Sequence, residues 1–177
     1  MIANFFHSRL LVSTFVFAAT VAIIAAVWAF ERIGGYIPCA LCLEQRVPYY
    51  WAIPVAAAAA LVATTGRVDW LVRGALAVVG LLAAYSAALG FYHAGVEWAW
   101  WQGPAGCAAV GGGDHAAPLS AQNLAEQMAQ VRPPSCDEAA GRFLGLSFAG
   151  WNVLAGAAIA TVALAGAATR AHLAVRR

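Results

Sequence analysis

Four stretches of this chain carry no charged residue and are almost wholly apolar: Leu10–Phe30, Val47–Thr65, Gly74–Tyr92 and Phe143–Ala168. A helix of about 20 such residues crosses the roughly 30 Å hydrocarbon core of a bilayer. Each stretch is long enough for one crossing. The remaining composition agrees, with 63% hydrophobic residues, 10% charged and a mean hydropathy of +0.73. A soluble domain carries about 25% charged residues. The sequence therefore predicts an all-α integral membrane four-helix bundle as one domain over residues 1–177. The first stretch runs past the apolar core of a secretory signal, which is about 7–15 residues. It is read as a span.

The arginines predict the orientation. All ten basic residues are Arg, and the net charge is +2. No basic run suggests nucleic acid. Arg9, Arg67, Arg73, Arg170, Arg176 and Arg177 fall near the termini or in the second loop, with Asp69 the lone acid there. Arg32, Arg46, Arg132 and Arg142 share the first and third loops (31–46 and 93–142) with all the other acids. Positively charged short loops stay in the cytoplasm. Both termini are thus expected in the cytoplasm, and loops one and three outside, in the periplasm of a bacterium's inner membrane.

All four cysteines then fall on the outer side, where disulfides form and persist. Cys39 and Cys42 form a C-x-x-C pair just before the second span; Cys107 and Cys136 lie in the long third loop. That loop opens with Trp98, Trp100 and Trp101, residues suited to a membrane interface. It continues through Gly111-Gly112-Gly113 to a stretch, Ala121–Val131, with helical apolar spacing. A short amphipathic helix is expected there, on the bilayer surface or capping the bundle.

A disulfide across the small C-x-x-C loop adds little stability, so that pair reads as redox-active or metal-binding. Zinc sites usually repeat C-x2-C, whereas Cys107 and Cys136 are 29 residues apart; no metal is expected. A helix starting near Leu41 would place Cys42 in its first turn, where an anionic thiolate is favoured. Arg46 follows four residues later, on the same helix face. It would support that thiolate or bond a ligand carbonyl at the membrane edge, or simply snorkel beside Glu44. His93, at the outer end of the third span, would contact a bound ring or serve as a polar interfacial residue. Haem needs a second axial ligand at similar depth, which His7, His115 and His172 do not offer. Asn152, inside the fourth span, predicts an interhelical hydrogen bond. The residues alone leave two uses for the Cys107/Cys136 pair: a structural tie, as in a non-catalytic scaffold, or a relay.

Taken together, these motifs resemble the DsbB family, bacterial disulfide bond formation protein B. The resemblance rests on Cys39-Ala40-Leu41-Cys42 after the first of four spans and on Arg46. It also rests on Cys107 and Cys136 in the second outer loop, and on Phe143-Leu144-Gly145-Leu146-Ser147 with Trp151-Asn152. It implies a quinone-dependent oxidoreductase that reoxidises a DsbA-like periplasmic thiol oxidase and passes two electrons to membrane ubiquinone or menaquinone. A variant serving a dedicated partner oxidase is the nearest alternative. By the family's pattern a partner thiolate attacks Cys107 of a Cys107–Cys136 disulfide. Cys136 then attacks Cys39, and Cys42 is left as a thiolate beside the quinone, with Arg46 on the quinone side.

Overall fold

The computed structural model describes residues 8–104 and 136–169. Cys107 and the amphipathic helix expected over 121–131 lie outside them. Four helices within the described residues are long and apolar enough to cross a membrane. They are α1 (Arg9–Arg32), α3 (Val47–Thr65), α4 (Asp69–Glu97) and α5 (Phe148–Ala168); a short α2 (Ala40–Glu44) precedes α3.

Local chemistry sets the ends. The Ser8 hydroxyl accepts the Leu11 N–H to start α1. Pro48 sits in the first turn of α3, where its missing N–H costs no helical bond, and Gly66 ends that helix at φ 63°. Helix α4 outruns its uncharged segment at both ends, because Asp69, Arg73, His93 and Glu97 continue it in helical geometry. Helix α5 begins later than expected. Arg142–Phe143 and Leu146–Ser147 form a two-stranded antiparallel hairpin. Its turn residues Leu144 (φ 51°) and Gly145 (φ 82°) both adopt positive φ, as a type I′ hairpin turn requires. The first five residues of the apolar segment are therefore hairpin, and Ser147 caps α5 by accepting the Gly150 N–H. The Trp151 indole N–H donates to the Phe143 carbonyl at 2.8 Å and pins the hairpin to α5.

The long helices pack in a closed cycle, α1 on α3, α3 on α4, α4 on α5 and α5 on α1. The core is built from small and β-branched residues, among them Val12, Val16, Ala56, Val79 and Ala163. Large side chains such as Leu61, Trp70 and Leu81 point outward. Between helices surrounded by lipid, close packing of small residues replaces the hydrophobic drive available in water. The α4–α5 seam is the tightest and the α1–α5 seam the loosest of the four. A Cβ on Gly156 would sit 3.0 Å from the Ala83 carbonyl and 3.0 Å from the Tyr49 hydroxyl.

The two ends of the bundle differ in chemistry. At one end Arg9 pairs with Asp69 at 2.6 Å and donates to the carbonyls of Gly166 and Thr169. Arg73 donates to the Ala167 carbonyl at 2.7 Å. These arginines satisfy C-terminal carbonyls of α5 that have no partner inside the helix. The other end gathers the thiols. Gly156→Val should force α4 and α5 apart, lowering unfolding free energy by about 1–3 kcal/mol. Thermal melting in detergent would register this as an earlier transition, and an unchanged melt would refute the close-packing account.

Candidate active site

The chain from α1 to α3 brings the C-x-x-C pair to the bundle's other end. Cys39 is the N-cap of α2, and its Sγ accepts the backbone N–H of Cys42 at 3.2 Å. The Cys42 Sγ lies 2.6 Å away. Cys42 does fall in the first turn of α2, as the sequence suggests, but the N-cap hydrogen bond goes to Cys39. The Cys42 thiol, first, and then the His93 ring and the Cys42 backbone N–H hold the Cys39 thiol far below its ordinary range, at about 4, while burial opposes them. Hydrogen bonds to a thiolate favour the charged form.

His93 reaches the pair from α4. Its Nε2 stands 3.6 Å from the Cys39 Sγ and 3.8 Å from a carboxylate oxygen of Glu97, one turn further along. The other Glu97 oxygen is buried and has no hydrogen-bond partner among the described residues. Both side chains are 3% exposed. On its far edge the ring meets Gln45, whose Nε2 lies 2.8 Å from Nδ1.

Arg46 does not pair with Glu44. Its guanidinium bonds Glu31 at the end of α1, which holds the positive charge beside Cys42. Asn152 does bond across helices: its Oδ1 accepts from the Tyr49 hydroxyl of α3 at 2.8 Å, and its Nδ2 donates to Gln45 Oε1 at 2.8 Å and to the Ser86 carbonyl of α4 at 3.0 Å.

A cavity of about 280 Å³ opens beside these groups. Glu31, Cys42, Gln45, Arg46, Tyr49, His93 and Asn152 line one part of it; the rest is mostly apolar, from Ile23 and Val27 of α1 to Phe148 and Trp151 of α5. It follows the loose α1–α5 seam. Such a site, mostly apolar with a few convergent polar groups, suits a small flat ligand with an oily remainder.

The sequence-predicted residues Cys39, Cys42, Arg46 and His93 thus come together. Cys136 is buried and packs in one cluster with Cys39, Leu41 and Val96. It is disulfide-bonded, whereas Cys39 and Cys42 are free.

A family profile described as "Disulfide bond formation protein DsbB" matches residues 8–166. The chain belongs to the DsbB family. It is accordingly a multi-pass membrane thiol oxidoreductase of disulfide formation. Searches of curated proteins and of solved structures gave no match. Gln45, Ser86 and Glu97 also lie among these groups, and the sequence alone did not single them out as functional. The one available signal was Gln45, between the C-x-x-C and Arg46.

A titration of the reduced protein, followed by the 13Cβ shift of Cys39, should show a thiolate down to about pH 4. The depressed value means that the anion persists above that pH and is lost below it. Cys42→Ala should move the midpoint upward, and more than His93→Ala does. A midpoint near the ordinary cysteine value of about 8.5 would contradict this electrostatic account.

Proposed function

We propose that this protein is the thiol:quinone oxidoreductase of a bacterial inner membrane, reoxidising a DsbA-like periplasmic dithiol oxidase. The observation that carries the reading is the cavity: a C-x-x-C cysteine and an arginine stand in the wall of a largely apolar pocket among the spanning helices. A ubiquinone or menaquinone fits that donor set, with a flat carbonyl-bearing ring and an apolar tail. Cys42, Arg46 and His93 are the residues that would hold the ring. When bound, the quinone accepts two electrons and two protons.

The chain's own residues supply the path. A partner thiolate attacks Cys107 of a Cys107–Cys136 disulfide, giving a mixed disulfide and a free Cys136. Cys136 then attacks Cys39 of the oxidised Cys39–Cys42 pair. The Cys39–Cys42 bond breaks, a Cys39–Cys136 bond forms, and Cys42 leaves as a thiolate. The second partner thiol resolves the mixed disulfide, so one dithiol has become one disulfide and two electrons have moved inward. The shared burial of Cys136 and Cys39 supports a short transfer. Arg46 holds positive charge beside Cys42 and supplies donors for a carbonyl oxygen. His93 donates to the Cys39 sulfur.

The orientation belongs to the same proposal. Arg9, Arg73 and the Gly66 turn share the end opposite the thiols, which supports cytoplasmic termini and periplasmic cysteines.

Quinone reduction by the purified protein, with a reduced periplasmic dithiol oxidase as donor, tests the reading. Cys39→Ser and Cys107→Ser should each abolish turnover. Arg46→Ala should raise the quinone KM about tenfold, since a charge-assisted hydrogen bond contributes about 1.5–3 kcal/mol. Folded protein that reduces neither quinone would overturn the proposal and favour a scaffold.

A further inference from the structure

His93 has two ring nitrogens, and the bonds around it decide which one carries the proton. The decision can be traced from groups that have no choice. A backbone carbonyl only accepts. The Asn152 group facing the Ser86 carbonyl at 3.0 Å must therefore be its amide N–H. That fixes the Asn152 oxygen toward the Tyr49 hydroxyl. The same Asn152 nitrogen faces the Gln45 side chain at 2.8 Å, so Gln45 presents its oxygen there. The Gln45 nitrogen faces the Leu41 carbonyl at 3.1 Å, another acceptor, which fixes the same orientation independently. Gln45 is thus a donor toward His93 Nδ1, at 2.8 Å. Nδ1 must accept, so the ring proton sits on Nε2, the nitrogen facing Cys39.

We propose that Asn152 and Gln45 are positioning residues that lock His93 as its neutral Nε2–H tautomer, aiming that hydrogen at the Cys39 sulfur. The lock spans four elements: Asn152 on α5, Ser86 and His93 on α4, Tyr49 on α3, and Gln45 at the end of α2. Backbone carbonyls anchor the two amides, Ser86 for Asn152 and Leu41 for Gln45, and the Ser86 hydroxyl donates to the Gln45 carbonyl. Gly90 leaves the room this requires. A Cβ there would stand 3.1 Å from the Asn152 amide nitrogen and 3.3 Å from the Gln45 oxygen.

Two consequences follow. The locked ring is a fixed donor for a Cys39 thiolate, whether that sulfur is attacking or leaving. It is also a poor metal ligand. Cys39, Cys42 and His93 lie close enough together to hold an ion. Metal on Nε2 would, however, displace its proton while Gln45 still donates to Nδ1, leaving no proton on the ring. Metal-bound histidines instead donate from their other nitrogen. The titratable groups around Cys39 are Cys42 on α2 and His93 and Glu97 on α4; Cys136, packed in the same cluster, is disulfide-bonded and does not titrate, and Arg46, paired with Glu31, stands on the Cys42 side.

The importance of the lock for turnover rests on the function proposed above; the tautomer does not. Nitrogen-15 spectra of histidine-labelled, reduced protein, with His7, His115 and His172 replaced by Gln, read it directly. The expected result is an unprotonated Nδ1 and a protonated Nε2. Gln45→Glu supplies an acceptor in place of the donor and should move the proton to Nδ1. The Cys39 titration midpoint should then rise by about one pH unit, the worth of one hydrogen bond to a charged sulfur. Asn152→Leu should give a mixture of tautomers and a smaller rise. A protonated Nδ1 in the parent protein overturns the lock, and that measurement stands even where a variant fails to fold. So does a Gln45→Glu protein with unchanged ring signals and Cys39 midpoint. A correct tautomer without quinone turnover would sink the functional reading and leave the lock in place.

Discussion

A polar side chain inside a lipid-embedded bundle has no water to bond, so its partners must come from neighbouring helices. Asn152 is the residue on which this constraint falls hardest. Its amide engages Tyr49, Ser86 and Gln45, which ties α3, α4 and the α2–α3 junction to α5. The satisfied network is rigid because each amide can point only one way. His93 inherits that rigidity through Gln45, and the sulfur of Cys39 inherits it through His93. The thiol chemistry at the bundle's end is thus held by a hydrogen-bonded chain that starts within the span of α5.

The packing around this chain is graded. The α4–α5 seam closes on glycines, with Gly80 against Leu164 and Gly156 against Ala83. The α1–α5 seam stays loose and leaves the cavity. A tight seam carries the polar network and a loose one carries the pocket, and the same cysteine pair borders both. The arginine-rich opposite end adds stability of a different kind, by bonding the free carbonyls at the end of α5.

The helices were legible because lipid demands long uncharged segments, and α1 and α3 have their ends marked by Ser8, Pro48 and Gly66. The hairpin before α5 was not. Its residues Phe143, Leu144 and Leu146 are as apolar as a helix, and only Gly145 and the capping Ser147 marked the break. Of the site, Cys39, Cys42, Arg46 and His93 could be named because spacing and segment edges place them. The partner of Arg46 could not: Glu31 is distant in sequence, and Glu44 was the nearer guess. Nor could the role of Gln45, since nothing in periodicity reports which way an amide faces or which helix supplies its partner. The sequence also pointed to Cys42 as the favoured anion, whereas the N-cap geometry puts that stabilisation on Cys39.

The loose α1–α5 seam has one further consequence. On the proposed function the ligand is dissolved in acyl chains, and the seam between two spanning helices lets it meet the pocket sideways, by diffusion in two dimensions. How often it is visited is then set by partitioning into the bilayer and by lateral crowding, and hardly at all by solubility in water. A change in acyl-chain order would alter the supply to this site without touching a single residue of it.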